Sequence, residues 1–230
     1  MFSALSSGAD YRGRMAAMRR RFLHDLYYAA AAAAILTPIA CGGPKTVARD
    51  GYRAVLVYSK EDRFRVAVRG ESVRISGTID GSEIVKIVRP DLGKVWQFRP
   101  STKKIFESRW EPTDEAVPGY PLQPRFDLAA YADRFSAGVE RIDDATHGLH
   151  PCERWRLSFP SGDHAVAWVA RDLDRLVVRI EHLKRDSNDE YQPFTDAQLL
   201  DVQVGASPKL LEEPRGYRKV SSYEELSRSG

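Results

Sequence analysis

Between Glu83 and Trp110 the chain runs EIVKIVRPDLGKVWQFRPSTKKIFESRW, three short pieces in which apolar and charged residues alternate. A period of two predicts β-strands, because successive side chains of an extended chain point to opposite faces. Pro90-Asp91-Leu92-Gly93 and Pro100-Ser101-Thr102 supply the turns: proline presets one corner, and glycine accepts a left-handed one. The stretch is expected to be an antiparallel meander with one apolar face and one face carrying Arg and Lys. The apolar face must then be covered or filled by another part of the chain.

Strand signals precede the meander at 52–59, 64–70 and 72–80, the last closed by the hairpin dipeptide Asp80-Gly81. Arg65, Arg69 and Arg74 alternate with aliphatic residues there and read as a solvated outer face. After the meander, residues 111–124 hold four prolines and can be neither helix nor central strand. Long loops inside compact domains are often binding loops or lids, so Val117, Tyr120 and Leu122 are expected as exposed apolar groups of a gate. Residues 125–138 place Leu128, Tyr131, Ala132 and Phe135 at helical spacing, with Gly138 as the stop. That helix belongs across the apolar face of the sheet. Strands resume at 139–145, 152–159, 164–170 and 176–183, followed by a polar loop over 184–192, a last strand over 199–204 and a helical turn at 223–226.

The chain has 230 residues, 43% hydrophobic and 29% charged, enough for one domain with a sizeable core. It carries 35 Lys and Arg against 32 Asp and Glu. Arg12, Arg14, Arg19, Arg20 and Arg21 all precede the first apolar run, however, and setting these aside with Asp10 and Asp25 levels the two counts from Cys41 onward. The basic balance belongs to the leader and leaves no footprint for nucleic acid.

That leader has a positive start at 18–21, a short apolar run through Ala29 to Ala34, and small residues at its end. This is the layout of an export signal, and the uncharged run over 26–40 is short of the roughly 20 residues that a membrane span needs. Residues 1–17 lack periodicity and read as an over-extended start, and 18–40 as the signal peptide. Ile39-Ala40-Cys41-Gly42 resembles a bacterial lipoprotein signal, in which the cysteine after small residues becomes acylated. Pro38 stands where leucine is usual, and an ordinary cut near Ala40 or Gly42, giving a soluble periplasmic protein, is the alternative. The resemblance implies a lipidated tether over 41–51, membrane attachment through Cys41 and an outer-membrane address facing the periplasm.

The order of elements in 52–220 resembles the LolA/LolB-like superfamily of lipoprotein carriers and outer-membrane lipoprotein-sorting proteins. The phrases that carry the resemblance are Ile87-Val88-Arg89-Pro90-Asp91-Leu92-Gly93-Lys94-Val95-Trp96, Gly148-x-x-Pro151-Cys152-Glu153-Arg154-Trp155 and a terminal Pro214-x-Gly216-Tyr217. It implies a mainly β (α+β) fold: a single antiparallel, strongly curved, incomplete β-barrel of about ten strands. A helix would cap its concave face, and 221–230 would form a C-terminal tail. It further implies an apolar cavity for a lipid or acyl chain, whose lining is expected from Trp96, Phe98, Trp155, Trp168, Tyr131 and Phe135.

Chemistry is sparse. His147, His150 and Cys152 form H-x-x-H-x-C at a turn, a pattern without a nearby fourth ligand that reads as solvent-exposed histidines rather than a metal site. The chain contains no nucleophile elbow, phosphate loop or zinc-protease motif, and it is read as a non-enzyme without cofactor or metal. Two classes of function follow. One is an envelope lipoprotein that binds an apolar ligand in its half-barrel. The other is an interaction or sensor module whose barrel is filled by its own side chains and whose partner is another envelope protein.

Overall fold

The structure, a computed structural model, describes residues 45–59, 62–79, 81–111, 117, 120–122, 127–186 and 190–227. The start, the signal peptide and Cys41 lie outside them. A first meander comprises β1 (Tyr52–Tyr58), β2 (Asp62–Arg69), β3 (Ser72–Ile79), β4 (Ser82–Arg89), β5 (Lys94–Arg99) and β6 (Lys104–Arg109). A second comprises β7 (Gly138–His147), β8 (His150–Ser158), β9 (His164–Ala170), β10 (Leu176–Arg185) and β11 (Tyr191–Val204). They join where β11 pairs antiparallel with β1, and the short β12 (Arg218–Val220) adds to β6 in parallel. The result is one 12-stranded sheet in the order β12-β6-β5-β4-β3-β2-β1-β11-β10-β9-β8-β7, open at both ends. The expectation of about ten strands misses β12, and it leaves β11 at less than half of its 14 residues.

The expected division into one apolar and one cationic face fails in β4 and β5, where both faces are buried, while on β1 and β2 the second face keeps Arg53, Arg63 and Arg65 exposed. On the first face, Tyr52, Leu56, Phe64, Val66, Val68, Val73, Ile75, Val88 and Val95 belong to the main core. Lys86 and Gln97, polar in the alternating pattern, are buried among them at 5% and 3% exposure. The ring of Phe64 lies across Gly77, where an added Cβ would sit 2.5 Å from it. The opposite face carries a second cluster of Val85, Ile87, Trp96, Phe98 and Ile105.

The two faces are covered by different parts of the chain. The segment after β11 crosses the second cluster as a strap: the guanidinium groups of Arg69, Arg74 and Arg89 donate to the carbonyls of Ala206, Leu210 and Leu211 at 3.1, 3.4 and 2.8 Å. Arg69 and Arg74 therefore anchor the strap and do not form a merely solvated surface. Tyr217 then packs edge-on against Phe98, with ring centroids 5.0 Å apart, and α3 (Tyr223–Ser227) buries Leu226, so the described part of the expected tail is docked. At the other end, Thr46 caps α1 (Val47–Asp50) by accepting from Arg49 N. Val47 is buried at 1%, which makes the last residues of the expected tether part of the core.

The main core is closed by the proline-rich loop and by α2 (Leu128–Arg134), a helix of seven residues rather than the expected span of 125–138. Asp127 caps it, its carboxylate accepting from Ala129 N and Ala130 N. Leu128 and Ala132 are buried, while Tyr131 is half-buried against the core. The loop corrects the gate expectation. Val117, Tyr120 and Leu122 are 1%, 4% and 2% exposed, because the sheet satisfies the polar groups that the loop brings inside. Tyr52 Oη donates to the Leu122 carbonyl at 2.8 Å, and Tyr120 Oη donates to the Val177 carbonyl at 2.7 Å. A buried backbone carbonyl left unbonded costs about 1–3 kcal/mol, so these hydroxyls permit the loop to lie where its apolar side chains are sheltered.

Burial of the loop ranks two variants. Tyr120→Ser combined with Leu122→Ser removes two buried side chains and one buried hydrogen bond, and should cost about 4 kcal/mol or more. Phe135→Asp, at a residue 39% exposed, should cost no more than about 1 kcal/mol. Urea unfolding of the two variants checks the ranking. Equal midpoints would show that the loop does not pack against the sheet.

Candidate functional site

Of the large apolar side chains that remain exposed among the described residues, Leu92 and Leu149 sit singly in connecting segments, and the other four gather near one end of the second meander. Phe194 is 58% exposed, Tyr191 40%, and Phe135 and Val139 39% each. The reason is local. The β10–β11 hairpin runs on beyond the last β1 partner, with Leu183, Lys184 and Arg185 pairing with Pro193, Gln192 and Tyr191, while β1 stops at the Tyr58–Ala197 pair. Pro193 is tolerated there because β11 has no β1 partner at that point and the β10 pairing is irregular between His182 and Leu183. Between this extension, the β8–β9 turn and the end of α2 lies a groove of about 440 Å³, lined by Phe135, Phe159, Leu183 and Phe194 together with His164 and Lys184. Its volume falls in the roughly 300–1,000 Å³ range of small-molecule sites.

The aromatic rings hold one another in place. Phe135 sits 4.9 Å from Tyr131 and 6.4 Å, edge-on, from Phe159, and His164 lies over Tyr191 at 4.5 Å. Asp163, also on the wall, accepts from the Ser161 hydroxyl at 3.1 Å. The groove can hold an apolar chain against rings, but it presents no paired acid and base and no positioned nucleophile among the described residues.

Of the six side chains expected to line a cavity, only Phe135 lines this groove. Trp96 and Phe98 belong to the second cluster under the C-terminal strap. Trp168 is cross-strand neighbour to Arg154 and Arg179, whose guanidinium carbons stand 5.8 and 4.5 Å from its ring centre. Both arginines are held by carboxylates, Arg154 by Asp143 and Arg179 by Asp196, so Trp168 is the centre of a structural ladder. Trp155 is half-buried and donates to Glu153 at 3.2 Å; Tyr131 borders the core through α2. Phe159, Leu183 and Phe194 were missed. The signal for Phe194 was an aromatic two residues past the polar run over 184–192, which the alternation of a long hairpin carries through.

The His147–Cys152 turn is occupied by its own contacts. His150 Nδ1 meets Asp172 at 2.9 Å, and buried Cys152 donates its thiol to the His150 carbonyl at 3.4 Å. Burial raises the thiol pKa of Cys152 and lowers the imidazole pKa of His147. Among the described residues no group of three or more His, Cys, Asp or Glu is placed to hold a metal ion, and no helix is long and apolar enough to cross a membrane.

No known family profile matches the chain, and no curated protein matches it. Among solved structures, 43 chains match. An uncharacterized conserved protein from Thermus thermophilus superposes with a TM-score of 0.49 at 10% identity, over 76% of this chain and 91% of that one. A chain of the Pseudomonas aeruginosa MucA/MucB complex gives 0.46 at 12% identity, over 74% of this chain and 58% of that one. A LolA superfamily protein from Nitrosomonas europaea gives 0.35 at 8% identity, over 74% and 92%.

The strongest electrostatic feature near Trp96 is Glu107. Lys94 and Lys219 approach its carboxylate at 2.9 and 3.0 Å, and Trp96 Nε1 donates to it at 3.1 Å. The bonds from Lys94, Lys219 and Trp96 push its pKa down to about 2. A carboxyl whose pKa is lower in the folded than in the unfolded chain contributes stability above its ordinary value, and that contribution disappears as the proton binds. Glu107 should therefore help hold β12 against β6 above about pH 4.5 and release it as the pH falls toward about 2. Glu107→Gln should lower the wild-type urea midpoint at pH 7, with the difference closing on acidification. A difference that stayed constant from pH 7 to pH 2.5 would exclude this role.

Proposed function

We propose that this chain is an exported, non-enzymatic lipoprotein of the bacterial envelope that binds a lipid or other apolar ligand in the groove beside Phe135, Phe159 and Phe194. The observation that carries the reading is that groove: a preformed apolar wall of about 440 Å³ with two phenylalanines held open to solvent. Exposed apolar surface gathered in one place is costly to a soluble chain unless something covers it. The mechanism is capture. An acyl chain lies along the rings and removes them from water, gaining about 25 cal/mol per Å² of apolar area covered. The rings need little reordering, because they already lean on one another. Cys41, acylated, would hold the groove near a donor membrane. An outer-membrane position facing the periplasm suits this arrangement, and α2 with the loop would cap the concave side of the curved sheet.

A second reading is favoured by a different observation. The main core is filled by the protein's own loop, locked through Tyr52 and Tyr120, and β7 is a terminal strand of ten residues, largely exposed, whose outer edge has no strand partner among the described residues. In an interaction module this edge would accept a strand of another envelope protein.

Two measurements separate these outcomes. Cells grown with a clickable fatty acid should label the wild type at Cys41 and leave Cys41→Ser unlabelled; equal labelling of both would end the lipoprotein reading. A fluorescent fatty acid should bind the wild type, and Phe159→Ser with Phe194→Ser should weaken it about ten-fold or more through lost apolar contact. Unchanged affinity would place the ligand elsewhere. A wild type that binds no probe but retains an envelope partner would favour the second reading.

A further inference from the structure

The charges around the groove narrow the chemistry of its ligand. Most arginines that border the second meander are spoken for by carboxylates: Arg141 and Arg171 by Asp144, Arg154 by Asp143, Arg156 by Glu140, Arg175 by Glu153 and Arg179 by Asp196. Two cations differ: Lys184, which lines the groove, and Arg134, which stands beside its Phe135 wall. Lys184 Nζ stands 5.8 Å from the ring centre of Phe194, and the guanidinium carbon of Arg134 stands 5.3 Å from that of Phe135. Neither has a carboxylate partner among the described residues, and each rests on one of the two exposed phenylalanines of the groove. A third polar group adds to them: His164 lines the same wall, and its Nδ1 is shielded from water without a hydrogen-bond partner among the described residues. The carboxylate of the wall, Asp163, is engaged by the Ser161 hydroxyl and, at 3.5 Å, by the Arg185 amide.

Resting on the binding reading above, we propose that the groove takes a single-chain amphiphile with an anionic head group, the tail along Phe135, Phe159 and Phe194 and the head paired with Lys184 and Arg134. A cation over an aromatic face is held with its charge unneutralised, and an unpaired lysine or arginine beside an apolar surface is complementary to a carboxylate or phosphate at the end of an apolar chain. A neutral lipid would cover the rings and leave both cations as they are. The anion adds charge-assisted bonds, each about twice as strong as a neutral one.

The test uses the full chain and three ligands of one chain length below their aggregation limits: laurate, dodecyl phosphate and dodecanol, followed by titration calorimetry. Wild type should bind the two anions about ten-fold more tightly than the alcohol, as expected for one charge-assisted hydrogen bond. Arg134→Gln with Lys184→Gln should abolish that preference, bringing the anions to within about two-fold of dodecanol, and should leave folding intact, both positions being exposed. The variant carries the decision, because Arg19, Arg20 and Arg21 beside the apolar leader could attract anions on their own. Equal wild-type affinity for all three ligands would overturn the head-group inference while leaving the apolar groove intact. A preference for anions that survives in the double variant would also overturn it, placing the head group elsewhere. Failure of all three ligands to bind would remove the binding reading itself. If laurate and dodecyl phosphate differ in the wild type, the tighter one identifies the head group within the proposed class.

Discussion

A buried carbonyl must find a donor, and this requirement decides how the sheet is covered. One short helix cannot shield the first face of six strands, so the chain brings in irregular backbone, which carries polar groups into the core. The hydroxyls of Tyr52 and Tyr120 accept that burden on one face, and the guanidiniums of Arg69, Arg74 and Arg89 do the same on the other. On the strapped face, and at Tyr52, a strand side chain reaches out to a carbonyl of the covering segment; at Tyr120 the loop itself reaches back to the sheet. Tertiary hydrogen bonds of this type replace the regular ladder that a second sheet or a longer helix would have supplied. The cover is therefore specific to these residues in a way that apolar packing alone is not.

Much of the strand order was legible, because alternation and turn chemistry are local. Residues 82–109 emerged as three strands with the two turns where proline and glycine put them. Burial was less legible. Lys86 and Gln97 look like solvent-facing positions in an alternating pattern, yet they lie inside, since the pattern reports that faces differ and not which covering segment arrives later. The proline-rich loop misled for a related reason: prolines exclude regular structure, but exclusion from a helix does not imply exposure once tyrosines can bond the carbonyls involved. Trp96, Phe98 and Trp168 were expected in a cavity wall from the resemblance, and each is held instead by a partner on another element: Tyr217, Glu107, Arg154 and Arg179. Phe135 was found because its helical spacing placed it at the end of α2, and Phe194 was missed because the hairpin that carries it crosses a polar run.

The separation of core from groove has a physical basis. Apolar residues that the chain can cover itself are interior, and the tyrosine locks keep them so. The remaining rings stand where the β10–β11 hairpin outruns β1, a position that no internal segment reaches among the described residues. An overhang of this sort decouples the candidate binding surface from global stability, so residues there are free to be chosen for contact with something else. The cations that rest on Phe135 and Phe194 fit that freedom, whereas the arginines of the Trp168 ladder are bound into the sheet by carboxylates.

The seam between β1 and β11 orders events during synthesis. The chain from β1 to β6 can pair locally as it emerges, but until β11 is made, β1 is the open margin of a six-stranded sheet carrying Leu56, Val57 and Tyr58. Such a margin is a template for pairing with other chains, and domains form from the N-terminal side while the rest is still being made. The strap that shields Trp96 and Phe98 comes later still. Both apolar faces of the early half thus wait on the later part of the polypeptide, which makes a truncated or delayed chain a species prone to self-association.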